Sequence, residues 1–238
     1  AARAMVRMGE GAPPLALLPL GTANNLARAL GIAGPWRDLL AGLDAAAPRA
    51  FRPGLVADGA CDARSPDDPA AQTPFVEIVD VGALAAGLTA AGGSGLDGTA
   101  KLAHGRACVA DAVRVAPPIR IALGLDGAAA AEEEVLLAAV LNVGLTGPSL
   151  RLSEMAPGSG VLEVVTLAPA DRAAFLAWLE QGGEAPAPLA RRRARQVALA
   201  PQAGAAVRID DDVRTAGRAE RLCVRAHLRP LAGLAPSA

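Results

Sequence analysis

The chain has 238 residues and a net charge of −1, with arginine supplying all but one of its 23 basic residues. That balance excludes a nucleic-acid partner, whose phosphates call for a clustered basic surface. No apolar run reaches the ~20 residues needed to span a bilayer, and Cys61, Cys108 and Cys223 are an odd, widely spaced set that argues against a disulfide framework or a zinc site.

In chain order, Ala1, Ala2, Ala4, Met5 and Met8 read as the apolar face of a helix already under way, so a piece of a longer protein is expected. The run LALLPL from Leu15 to Leu20 reads as a strand, Gly21-Thr22 as a turn, and Ala23, Leu26, Ala27 and Leu30 as one face of a helix. Thr22 is placed to cap that helix and Gly31 to end it; a second helix runs from Pro35 through Leu43. An α/β layer left incomplete would bare a strand edge at Leu15–Leu20 and favour a homodimer.

From Phe51 the pattern changes to short apolar runs split by Gly, Asp and Pro: FVEIVDVG, IRIALGLDG, VLLAAVLNVG, VLEVVTLAP, QVALAP, AVRIDDD and ERLCVRAHL. Such runs read as a β-sandwich or barrel, with a hairpin turn at Asp126-Gly127. Helices are expected at His104–Val115 and Ala170–Gln181, and a polar surface loop over residues 57–73. Arg191, Arg192, Arg193 and Arg195 are either a solvated lead-in to a strand or a patch for anionic lipid headgroups. His104 and His227 lack metal-ligand neighbours, and Trp36 and Trp178 read as core or interface residues. The fold class is therefore α+β: residues 1–50 as the end of an α/β layer, 51–228 as a β-rich sandwich, and 229–238 as a tail.

The most specific segment is LLPLGTANNLARALGI, residues 17–32. A glycine turn and a helix start direct N–H groups toward one point and favour an anion there. Thr22 adds a hydroxyl, Asn24 and Asn25 add amides, and Arg28 a guanidinium. A capped helix with a surface arginine is the plainer alternative.

This segment resembles the PLGTxNDxAR signature of the diacylglycerol kinase and sphingosine kinase superfamily, whose sandwich follows an NAD kinase-like nucleotide domain. Later stretches match in the family's order. FVEIVDVGALAAGL resembles the opening of its β-rich domain, Lys101 to Gly105 its K-x-x-x-G region, and LNVGLTGPSL its N-x-x-x-x-G-P segment. LSEMAPGSGVLEVVTLAP resembles its LAPxAxxxDGxLDV strand, and AVRIDDD with LRPLAGLAP its V-x-I-D-G-E and closing tail, which in the family returns to the nucleotide domain. The resemblance implies transfer of the ATP γ-phosphoryl group to a lipid hydroxyl such as that of diacylglycerol, with Mg²⁺ on the phosphates. Gly21, Thr22, Asn24 and Asn25 would face the nucleotide; Arg28 and Asp212 would be catalytic, Asp212 accepting the hydroxyl proton. A cytoplasmic protein meeting lipid at the inner face of the membrane follows.

Four positions depart from the family. Its GGDGT signature would precede Ala1. An acid expected at position 52 is Arg52, which reverses the local charge. The DGxLD carboxylates, which hold a structural magnesium ion in some members, are Ser159 and Glu163. The Asp after GTxN is Asn25, which keeps a hydrogen-bonding group without the charge. Arg52 and Ser159 favour a competing reading, a catalytically degenerate homologue that binds lipid or a partner, whereas the intact LPLGTANNLAR favours the kinase.

Overall fold

The computed structural model describes residues 4, 8, 13–45, 47–59, 61, 72–92, 95–227 and 231–235. Of the helix read over residues 1–8 only Ala4 and Met8 are described, both helical, and most of the loop expected over 57–73 lies outside the described residues. Strand β1 is only Leu15–Ala16, followed by α1 (Asn25–Ala29), α2 (Trp36–Ala41), β2 (Ala47–Phe51) and β3 (Gly54–Asp58). The strand expected over 15–20 stops early because Leu20 N–H turns back onto Leu18 O at 2.8 Å around Pro19, which has no N–H to give a ladder. Gly31, at φ 70°, ends the helix as expected, with Ile32 N–H on Ala27 O at 2.8 Å.

The sandwich continues with β4 (Thr73–Phe75), β5 (Ile78–Gly82), α3 (Ala83–Ala90), α4 (Gly98–Val115), β6 (Ile119–Leu125), β7 (Ala131–Val135) and β8 (Leu137–Leu141). Then come β9 (Leu145–Thr146), β10 (Leu150–Arg151), β11 (Leu162–Leu167), α5 (Arg172–Glu180), β12 (Ala190–Ala194) and β13 (Gln196–Pro201). The last are β14 (Ala206–Ile209), β15 (Asp212–Thr215), β16 (Leu222–Ala226) and β17 (Leu231–Ala235).

Two antiparallel six-stranded sheets form, in the orders β12-β11-β8-β5-β14-β15 and β4-β3-β16-β13-β6-β7. Alternation along the strands divides their side chains between two cores. Val79, Val81, Val140 and Val164 meet Val197, Leu199 and Val224 of the other sheet. Ile78, Leu137, Leu141 and Leu167 point the opposite way, toward Leu84, Val109, Val113 and Phe175 on the helices. The first sheet is thus covered on both faces, which is why its strands read as unbroken apolar runs. The run VLLAAVL, read as one strand, is divided: Val135 ends β7 in one sheet and Leu137 begins β8 in the other, with Leu136 N–H on Leu167 O.

A third, three-stranded sheet joins the ends of the chain, β17 lying parallel to β1 and antiparallel to β2. Beside it, Ala27, Ile32 and Leu39 make a small separate core.

One expectation is corrected. Cys61 and Cys223 form a disulfide, Cα atoms 5.0 Å apart across 162 residues of sequence. Pairing of β3 with β16, Ala57 opposite Cys223, carries the chain just after β3 to that strand, a proximity that spacing cannot reveal. Three of the clustered arginines lie on β12, where Arg192 grips the Glu133 carboxylate, Arg191 donates to Leu152 O at 3.2 Å and Arg193 Nε lies 3.7 Å from Glu163; Arg191, Arg193 and Arg195 are exposed, as a solvated lead-in to β13 would be.

Candidate functional site

The signature turn closes on itself. Asn24, not Thr22, is the N-cap of α1, held at φ 49° with no side-chain bond to the helix. Its carboxamide instead spans the turn, accepting Gly21 N–H at 2.8 Å and donating to Gly21 O at 2.6 Å. Asparagine tolerates this left-handed backbone better than threonine does, so the cap shifts by two residues. A Cβ on Gly21 would come within 3.2 Å of Asn24 Oδ1, so the glycine lets the turn tighten. Thr22 is half-buried within the same turn.

The next two signature residues leave the segment and bind the sandwich. Asn25 is 5% exposed and donates through Nδ2 to Gly147 O at 3.0 Å and to Glu77 Oε2 at 3.3 Å. Arg28 donates from Nη1 to Ser149 Oγ at 2.8 Å. Both acceptors on the 147–149 turn need left-handed backbone, Gly147 at φ 50° and Ser149 at φ 63°. A Cβ on Gly147 would come within 2.5 Å of Leu88, so only glycine fits there. From the other side Gly105 packs against Pro148, and Arg106 donates to Pro148 O at 3.4 Å. The loop after β8 is tied down by Asn142, whose Nδ2 donates to Arg52 O at 2.8 Å and Val76 O at 2.9 Å.

Acidic groups gather at the same junction. Asp210, in the turn between β14 and β15 at φ 51°, turns its carboxylate onto the link between β4 and β5. It accepts N–H groups from Val76 at 2.7 Å, Glu77 at 2.8 Å and Ile78 at 3.2 Å. Burial nonetheless holds Asp210 above the usual carboxylate range, against the pull of those N–H groups and Arg208. Glu77 is pushed up to about 7, chiefly by burial and further by Asp210 and Asp211, with Asn25 and Arg208 opposing. Behind them Arg208 Nη2 meets Asp80 Oδ2 at 2.8 Å, a cross-strand pair sealed from solvent. Asp80 too is raised, to about 6, by burial that outweighs Arg208.

Asp212 opens β15, exposed, two residues beyond the Asp210 clamp. The structure thus brings Asn25 and Arg28 onto one loop and pairs Gly21 with Asn24, while Asp212 stands exposed two residues along the chain from Asp210. Glu77, Ser149 and the clamping role of Asp210 escaped the sequence reading. A signal was present for Glu77: FVEIVDVG places two acids three residues apart inside an otherwise apolar strand. Two departures are neighbours: the Arg52 guanidinium lies against the 158–160 turn, where a Cβ on Gly160 would be 2.9 Å from its Nη1, and Ser159 Oγ donates to Val161 O at 3.2 Å.

Among the described residues no group of three or more His, Cys, Asp or Glu is placed to hold a metal ion. Hard divalent cations want several oxygens, and the Asp210 carboxylate is already occupied by backbone N–H groups. The junction does not fit an ion bound by protein alone.

Residues 1–56 match the family model described as the diacylglycerol kinase catalytic domain. This segment is similar to that domain. Among solved structures, a diacylglycerol kinase from Bacillus anthracis str. Sterne superposes with a TM-score of 0.65 at 14% identity, covering 94% of this chain and 68% of that one. Two further structures bearing the same description and organism give 0.64, at 13% and 12% identity, each again with 68% of its chain covered. At such identity the likeness establishes the fold, which is diacylglycerol kinase-like from the signature segment through the sandwich. No protein of curated function matches the chain.

Proposed function

We propose that this chain carries the lipid-phosphorylating half of an ATP-dependent kinase, moving the γ-phosphoryl group to a lipid hydroxyl such as that of diacylglycerol. One observation carries the reading. Five stretches meet at one junction: Asn25 and Arg28 of the LGTANNLAR turn and Gly105 of KLAHG contact residues 147–149 of LNVGLTGPS, Glu77 of FVEIVD accepts from Asn25, and Asp210 of RIDDD accepts Glu77 N–H. Phosphoryl transfer depends on positioning and charge neutralisation, so a junction fixing amides, a guanidinium and carboxylates suits it.

In this reading Gly21, Thr22, Asn24 and Asn25 form the nucleotide side. Arg28 extends the guanidinium toward the phosphates, and Asp212 takes the proton of the attacking hydroxyl. Mg²⁺ bound with ATP would supply charge neutralisation on the phosphates. Leu20 on the signature segment and Trp36 and Leu40 on α2 are exposed, and such side chains suit a protein working at a lipid surface. No helix among the described residues is long and apolar enough to cross a membrane.

A non-catalytic homologue is the second reading. It draws on the Arg52 cation packed beside Ser159 and on Gly21 N–H already bonded to Asn24. Transfer of radiolabelled phosphate from Mg·ATP to micelles containing diacylglycerol decides between them, using the chain as given and, where its gene extends upstream of Ala1, the extended chain. Labelled lipid, lost in Asp212→Asn, supports the kinase. Sedimentation with lipid vesicles but no labelling under any condition supports the non-catalytic homologue.

A further inference from the structure

Asn25 stands where the resemblance calls for an aspartate, so the signature has lost a negative charge. The structure places a carboxylate in hydrogen-bond contact with that position from across the domain junction: Glu77 Oε2 lies 3.3 Å from Asn25 Nδ2. The orientation of the carboxamide follows from its surroundings. With Gly147 O on one side and Glu77 on the other, both acceptors, the NH₂ must face them. Asn25 Oδ1 is then buried without a partner among the described residues, a cost accepted to keep the donor aimed at Glu77.

We propose that Glu77 is a positioning residue that carries the displaced charge of the signature, holding Asn25 and with it the Gly21–Asn24 turn when its carboxylate is ionised. The proposal rests on the kinase reading for its consequence and on geometry for its substance. Glu77 is well made for this task. Its own backbone N–H is fixed by Asp210 and its carbonyl accepts Asn142 N–H at 2.9 Å, so the side chain leaves a rigid base. The groups that face it are Asn25 from α1, Arg208 from β14, and Asp210 and Asp211 from the turn that follows. Among these only Arg208 is cationic, and Arg208 is engaged by Asp80 and by Asp210 O. Glu77 therefore exchanges its proton near neutrality, and the grip on Asn25 weakens as it does.

A reciprocal exchange tests the pair with isosteric changes only. Glu77→Gln removes the charge, Asn25→Asp adds a second, and the double variant returns one carboxylate to the signature helix. Phosphate transfer from Mg·ATP to diacylglycerol micelles is expected to fall ~10-fold or more in each single variant and to recover to within ~3-fold of the parent in the double, the non-additivity of directly coupled sites. The acid limb of the pH–rate profile, near pH 7 in the parent, should be absent in Glu77→Gln. A second readout needs no activity. At pH 8 Asn25→Asp places two carboxylates in contact and should lower the melting temperature by about 2–4 °C, which the double variant restores.

The pH dependence of melting has a definite sign. A carboxyl raised in the folded state adds stability below its ordinary value that is lost as pH rises through about 7, and Glu77→Gln should lack that loss. An active parent whose Glu77→Gln variant keeps its rate, or whose single variants add, overturns the proposal while sparing the kinase reading. A parent that transfers nothing removes the kinase reading and the role in transfer together, even where the melting cycle shows the two residues coupled.

Discussion

The sandwich and the signature segment are held by different forces. Between its sheets and beneath its helices the sandwich buries Phe75, Ile78, Leu84, Leu137, Leu141, Leu162 and Phe175 completely, whereas the segment's own core amounts to Ala27, Ile32 and Leu39. Yet the segment carries the most specific sequence signal. It is positioned by hydrogen bonds, from Asn25 and Arg28 to a loop whose glycine and serine adopt backbone few residues tolerate. Shape is thus stored in apolar area and the site in a handful of polar contacts, which lets the site change without unfolding the protein that carries it.

The largest expected effect strikes the sandwich. Phe75 is fully buried, and its ring fills the space where a Cβ on Gly54 would stand, 2.0 Å from Cε1. Phe75→Ala should cost about 3–5 kcal/mol in urea denaturation at unchanged m, through lost burial and the cavity left behind. A loss below ~1 kcal/mol would show that apolar burial is not where this protein keeps its stability.

An intermediate effect sharpens the contrast from within, because the sandwich also contains a charged pair. Arg208→Met leaves Asp80 as a lone buried carboxyl and should cost about 3 kcal/mol, whereas Arg208→Met with Asp80→Leu should regain most of it. The same denaturation experiment measures both. Should the double variant stay as unstable as the single one, Arg208 would be valued for its contacts to Asp210 O and Thr146 rather than for Asp80.

Much of this fold could be read locally. The runs at β6, β11 and β13, the helices α4 and α5, and the Asp126-Gly127 turn, with φ 49° and 83°, all follow from short-range pattern. Helix α3 did not: ALAAGLTA is apolar on nearly every side because it lies between the sheet and α4, so it shows no helical alternation. The site was legible as motifs but not as contacts. Asn25 meets Glu77 across 52 residues and Gly147 across 122, and Arg28 meets Ser149 across 121. Alternation reports which side of a strand is buried, never which distant loop lies against it, so Glu77 passed as one more residue of a strand.

The smallest effect is the most discriminating. Arg28 is itself exposed, so its bond to Ser149 forms at the edge of solvent, where a guanidinium has water as a ready alternative. Arg28→Ala should therefore change global stability by no more than ~0.5 kcal/mol. The segment has little core of its own, however, so the same change should accelerate amide exchange in residues 24–30 and 147–149 by ~10-fold while leaving β8 and β11 protected, the behaviour of a local opening. If Arg28→Ala instead loosened the sandwich strands, segment and sandwich would form one cooperative unit, and the polar junction would hold the fold as well as the site.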